Sequence, residues 1–237
     1  MDLGIAGKVA LVTAASKGLG RGAAAALATE GCRVAICARD PERLAETANE
    51  LPGEILALPA DVTEPDAPRR LVDATVERFG RLDIVVANAG GPPRARALEV
   101  TDDGMIDAVN ANMLASIRLV RASLPHLRSA DWGRIVLIAS QAIKQPIPDL
   151  AYSNAARTGL WAWAKTAAQD LIDDGITLNV LCPGLHATDR VTEIGHEGRL
   201  GDPADFGRVA AFLCSRHVGF LSGAAIQVDG AGTLGLL

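Results

Sequence analysis

Short apolar, β-branched runs alternate along the chain with longer amphipathic stretches, and the alternation starts almost at once. Residues 8–13 (KVALVT) are too few for a helix and show no polar alternation, which predicts a strand buried on both faces. Small residues and glycines follow in AASKGLG, and GRGAAAALATEG then predicts a helix closed by Gly31. A second strand, RVAICA, comes next. The pattern continues with a helix over 41–51, a strand over 54–60, a helix over 64–79, a strand over 83–87 and a long helical region over 102–128, whose last turn Pro125 should disturb. Residues 134–139 read as a strand, 153–173 as a helix behind loop prolines 146 and 148, and 176–182 as a strand. A helix over 203–215, with Pro203 suited to its first turn, and a strand over 225–229 complete the series. Strands separated throughout by helices or long connections predict an α/β fold: a doubly wound, mostly parallel sheet of about seven strands.

Composition narrows this picture without changing it. A chain of 237 residues, 49% hydrophobic, can bury one large core, so a single domain over 1–237 is expected. The formal charge of -5 provides no basic field for nucleic acid. Cys32, Cys37, Cys182 and Cys214 have neither CxxC spacing nor the density of a disulfide scaffold, which suits reduced thiols in a cytoplasm. Cys182 is expected to be a small apolar filler. No apolar run approaches the roughly 18 residues of a membrane span.

Strand, glycine loop, helix, strand is the unit that sets a pyrophosphate on a helix N-terminus. The loop reads Thr13-Ala14-Ala15-Ser16-Lys17-Gly18-Leu19-Gly20, and further signatures follow in order: Asp61-Val62, ANAG (87–90), Asn112, Ser140, Asn179, PGLHAT (183–188) and SGAAIQVDG. This ordered set resembles the short-chain dehydrogenase/reductase family over nearly the whole chain, and within it members of the 3-oxoacyl-acyl-carrier-protein reductase kind. Ala14 replaces the first glycine of that family's TGxxxGxG loop, implying a backbone position that does not need positive φ.

The resemblance implies a Rossmann fold that binds a nicotinamide dinucleotide. Thr13, Ala15, Ser16, Lys17, Gly18, Leu19 and Gly20 would hold the phosphates; Asp61, with Val62, would meet the adenine; Asn88, with Ala89 and Gly90, would meet the nearby ribose; Thr188, with Pro183 and Gly184, would meet the nicotinamide. Ala38 stands where an NAD-binding member carries an acid, while Arg39 follows it and Lys17 sits in the glycine loop. Two cations and no acid favour NADP(H) over NAD(H).

The resemblance also implies hydride transfer to a carbonyl, or from an alcohol, assisted by Ser, a YxxxK pair and an Asn. Ser140 and Asn112 are in place, but YxxxK is degenerate. Counting thirteen from Ser140, or back from Gly159-Leu160, puts Ser153 at the Tyr position and Arg157 at the Lys position, with Tyr152 one residue early. One residue is about 100° of helix rotation. Arg157 could hold ribose hydroxyls but not relay a proton. Tyr152 therefore stands as the proton donor if the first turn lets it turn inward. The alternative is a catalytically impaired or non-catalytic nucleotide-binding member, with Tyr152 merely packing.

Around this stretch, Lys144 is either solvated or turned to an anionic substrate group. Family members place a lid before the text resembling GRLGDP, but only residues 189–197 stand there, suggesting an open pocket. His186 and His196 lack a third ligand at metal spacing, so no metal is expected. Trp161 and Trp163, at i and i+2, should not both face one core, so one is expected at another subunit of a homo-oligomer, a dimer or the family's tetramer.

Overall fold

In the computed structural model, which describes residues 1–193 and 198–235, seven strands pair into one sheet in the order β3-β2-β1-β4-β5-β6-β7. They are β1 (Val9–Thr13), β2 (Arg33–Ala38), β3 (Ile55–Pro59), β4 (Ile84–Ala87), β5 (Gly133–Ile138), β6 (Ile176–Pro183) and β7 (Ala225–Val228), and every pairing is parallel. The order reverses between β1 and β4, which opens a crevice at their carboxyl ends.

The uninterrupted apolar runs follow from cover on both faces. Alternate residues of a strand point to opposite sides. Val9 and Leu11 of β1 therefore join Val85, Ile135 and Leu137 in one core, under α3 (Ala67–Phe79), α5 (Ala115–Ser129) and α6 (Ala151–Leu171). Ala10 and Val12 join Ile84, Val86 and Val136 in the other, under α1 (Gly18–Thr29), α2 (Pro41–Glu50) and α8 (Pro203–Leu213). Helices α1 and α8 cross at glycines: a Cβ on Gly22 would collide with the Pro203 carbonyl, and one on Gly207 with the Gly22 carbonyl. Two shorter helices, α4 (Asp102–Val109) and α7 (Asp189–Glu193), lie on the connections.

Three expectations change. The long helical region is broken at a π turn, Asn110–Leu114, between α4 and α5, and not at Pro125, which lies inside α5. The Asn110 side chain holds that turn, donating to the Thr63 carbonyl (3.1 Å) and accepting from Arg118 (2.7 Å). Helix α6 begins at Ala151, two residues before Ser153. Trp161 and Trp163 both pack, partly buried, against the same core. Their large rings span the angle that separates i from i+2.

Among the described residues no helix is long and apolar enough to cross a membrane. All four cysteines are free and buried. Cys182 lies in the core, where burial pushes its thiol up to about 12.

Candidate dinucleotide and active site

The crevice between β1 and β4 is stitched across its floor. Thr13 Oγ1 donates to the Asn88 carbonyl (2.8 Å) and accepts from the Asn88 N–H (2.9 Å), while Asn88 Nδ2 donates to the Ala14 carbonyl (3.2 Å). Val62 joins Thr13 and Asn88 around a cavity of ≈10 Å³, about the room one water needs. Ala14 lies at φ 47, against the expectation that it avoids positive φ. That left-handed backbone costs a non-glycine residue about 1–2 kcal/mol. Its flanking bonds hold it: the Ala15 N–H donates to the Cys37 carbonyl at 2.9 Å, and Asn88 grips the Ala14 carbonyl. Gly20 must be glycine here, since a Cβ would run into the Ala14 carbonyl and stand 2.8 Å from Asn88 Nδ2.

The loop is built to receive an anion. Lys17 is the N-cap residue of α1, no side chain caps that terminus, and its first turn carries no acid. The free N–H groups and the positive end of the helix dipole are thus left for a ligand's phosphates. Ser16 is tied to α2 through its carbonyl, which accepts from Thr47 Oγ1 at 3.0 Å. Thr188 closes over the same loop, its Cγ2 3.4 Å from where a Cβ on Gly18 would be. Pro183 ends β6, and the Gly184 N–H donates to the Val228 carbonyl (3.0 Å). Leu19 lies partly buried in the first turn of α1, beside Gly20.

The charges are arranged less simply than the sequence suggests. Arg39 is exposed, and its charge helps hold the Asp61 carboxyl below the usual carboxylate range, after the larger effect of the Thr63 N–H bond. Asp61 also accepts from the Thr63 hydroxyl at 2.8 Å. Lys17 is not simply solvated: its Nζ lies 3.3 Å from Asp189 Oδ2, and an Arg43 nitrogen lies 2.9 Å from the same oxygen. Arg43 and Asp189 escaped the sequence reading. The available signals were the place of Arg43 one helical turn beyond Arg39 and that of Asp189 directly after Thr188.

At the ends of β4 and β5 lies the face of α6 that carries Arg157. Arg157 is 7% exposed, and its guanidinium donates to the carbonyls of Ile138 (3.3 Å), Ala139 and Ala89 (3.5 Å). Gly90, next to Ala89, is exposed. Ser153, one turn before Arg157, is buried on that face of α6. Ser140 follows β5 and accepts from the Ala142 N–H at 3.1 Å, capping a short turn, which leaves its O–H proton free to be donated. Asn112 is 3% exposed in the π turn, and neither its amide nitrogen nor its oxygen has a protein partner. A fully orphaned buried amide calls for a water or a ligand atom.

Tyr152 points elsewhere, against the expectation that it faces the reaction. It packs with Ala108 and Ala156, and its hydroxyl accepts the Thr101 N–H at 2.9 Å at the start of α4. The 100° offset of one helical residue is thus fully expressed, and no loosened first turn corrects it. Lys144, partly buried, lies over the Trp161 ring, 4.2 Å from its centroid. His186 packs edge-on against Phe206 (5.2 Å). His196 and the end of the 189–197 stretch fall outside the described residues. Among the described residues no group of three His, Cys, Asp or Glu side chains could hold a metal.

A parallel sheet with a glycine loop at its switch point, an uncapped α1 and a serine after β5 defines a Rossmann-type oxidoreductase. The short chain dehydrogenase family matches residues 8–198, and this chain belongs to that family. It is 32% identical over 252 residues to the L-fucose dehydrogenase of Bos taurus, covering 97% of this chain and 91% of that one. It is 28% identical over 239 residues to the 3-oxoacyl-acyl-carrier-protein reductase of Vibrio cholerae, covering 96% and 98%. The structure of L-sorbose reductase from Gluconobacter frateurii, complexed with NADPH and L-sorbose, superposes with a TM-score of 0.92 at 29% identity, covering 99% of this chain and 100% of that one.

Proposed function

We propose that this chain is an NADP(H)-dependent oxidoreductase that reduces a ketone, or oxidises the corresponding secondary alcohol, by direct hydride transfer. The observation that carries this is the buried Arg157, one helical turn after the buried Ser153 and bonded to carbonyls at the ends of β4 and β5, together with Ser140 directly after β5 and the orphaned buried amide of Asn112. The glycine loop and uncapped α1 fit the pyrophosphate, and Lys17, Arg39 and Arg43 with no acid at Ala38 fit a 2′-phosphate. The NADPH complex of the 29% identical L-sorbose reductase supports the same choice. When bound, the dinucleotide supplies or accepts the hydride.

The residues then divide the remaining work. Ser140 donates a hydrogen bond from its hydroxyl to the substrate oxygen and orients it. Arg157 braces the two strand exits and lends positive charge; it relays no proton, because its guanidinium stays protonated. Ser153 offers a hydroxyl but not an accessible alkoxide. With Tyr152 engaged at Thr101, the proton comes from water, and Asn112 is the buried amide suited to hold it. The protein would work as a cytoplasmic homo-oligomer.

The second possibility, a nucleotide-binding member that does not catalyse, draws on the engaged Tyr152 hydroxyl and on Ser153 and Arg157 at the expected Tyr and Lys positions. A panel of ketones with NADPH separates the two. Catalysis predicts NADPH consumption that Ser140→Ala lowers at least about tenfold. NADPH binding without consumption across the panel would establish the non-catalytic member.

A further inference from the structure

Two cations from different elements reach one carboxylate oxygen. Lys17 leaves the loop between β1 and α1, Arg43 leaves the first turn of α2, and Asp189 follows Thr188 across the groove. Lys17 Nζ and the Arg43 guanidinium lie 3.3 and 2.9 Å from Asp189 Oδ2. The three side chains are 51%, 45% and 47% exposed, and they line a groove of ≈840 Å³ with Ser16, Gly18 and Thr47. The neighbouring Arg21 is already committed to Glu50 (2.7 Å).

A fork of donors and an ammonium converging on one point match the needs of a phosphate dianion better than those of a single carboxylate. Resting on the NADP(H) function proposed above, we infer that Asp189 is an internal stand-in for the cofactor's 2′-phosphate: it pairs with Lys17 and Arg43, must yield them when NADPH binds, and so sets the preference between NADPH and NADH. The exchange is feasible because both ion pairs are half exposed and individually weak. The hydrogen bond from Lys17 holds the Asp189 carboxyl below the usual carboxylate range, so the competing charge persists at neutral pH. A cofactor without the 2′-phosphate has no group to compete for these cations.

Titration of the full chain with NADPH and with NADH, followed by tryptophan fluorescence, tests this. Asp189→Asn should tighten NADPH about three- to tenfold, the worth of two exposed pairs, and shift NADH by less than about twofold. Arg43→Gln should weaken NADPH about tenfold and spare NADH. Both positions are half exposed, and unchanged thermal unfolding verifies the fold of each variant. The inference is overturned if Asp189→Asn leaves NADPH binding unchanged, weakens it, or shifts both dinucleotides equally. The NADP(H) function is judged separately, by the unsubstituted chain: tighter NADH there rejects it, even where Asp189→Asn still favours NADPH selectively. Binding of neither dinucleotide rejects both.

Discussion

Replacing Tyr152 with Phe removes one oxygen and tests the register directly. That oxygen accepts the Thr101 N–H at 2.9 Å and lies 3.4 Å from the Thr101 hydroxyl, at the first turn of α4. Thr101 itself is exposed, so water can reach the released N–H, and the loss is that of one net hydrogen bond, about 0.5–1.5 kcal/mol. For a chain of this size each kcal/mol moves Tm by about 2–4 °C, which predicts a fall of about 1–6 °C. Loss of a proton donor would instead cost about 10²- to 10⁴-fold in turnover. Thermal unfolding together with kcat for NADPH-dependent ketone reduction separates the two roles. Tyr152→Phe should lower Tm and leave kcat within about twofold, far short of the loss of a general acid. A tenfold or larger fall in kcat with Tm unchanged would refute the assignment of Tyr152 to the fold.

Two other predictions concern stability. Ala14→Gly should stabilise the chain by about 0.5–1 kcal/mol in urea, because relief of a left-handed alanine outweighs the added freedom of glycine in the unfolded chain; a loss of stability would contradict strain at this position. Burial pushes the thiols of Cys32, Cys37 and Cys182 from 9.0 up to about 12. The unfolded chain therefore ionises first as pH rises, and stability present below pH 9.0 should be lost progressively toward pH 12. The same burial predicts that a thiol reagent at neutral pH labels the cysteines only after urea is added; rapid labelling of the native chain would refute it.

The sheet was legible because strands covered on both faces write themselves as unbroken apolar runs; β1, β4 and β5 are the clearest. That Ser153 and Arg157 share one buried face of α6 was legible too, since counting along one helix needs no tertiary knowledge. Partnerships across the chain were not. The Tyr152 hydroxyl is taken by an N–H 51 residues away, and Arg43 meets Asp189 across 146 residues. Nothing local in either stretch encodes those meetings. The φ of Ala14 was misjudged for the same reason, because Asn88 and Cys37, from other strands and loops, hold it. The two tryptophans misled because residue spacing fixes direction but not reach.

In the proposed function the Ser153 and Arg157 face of α6, not Tyr152, forms the reaction site with Ser140. The most direct measurement is an experimental structure with NADPH and a ketone bound. The nicotinamide C4 and the substrate oxygen should lie beside Ser140 and Ser153, a water should sit on Asn112, and Tyr152 should remain bonded to Thr101. A Tyr152 hydroxyl within hydrogen-bond distance of the substrate oxygen would contradict it.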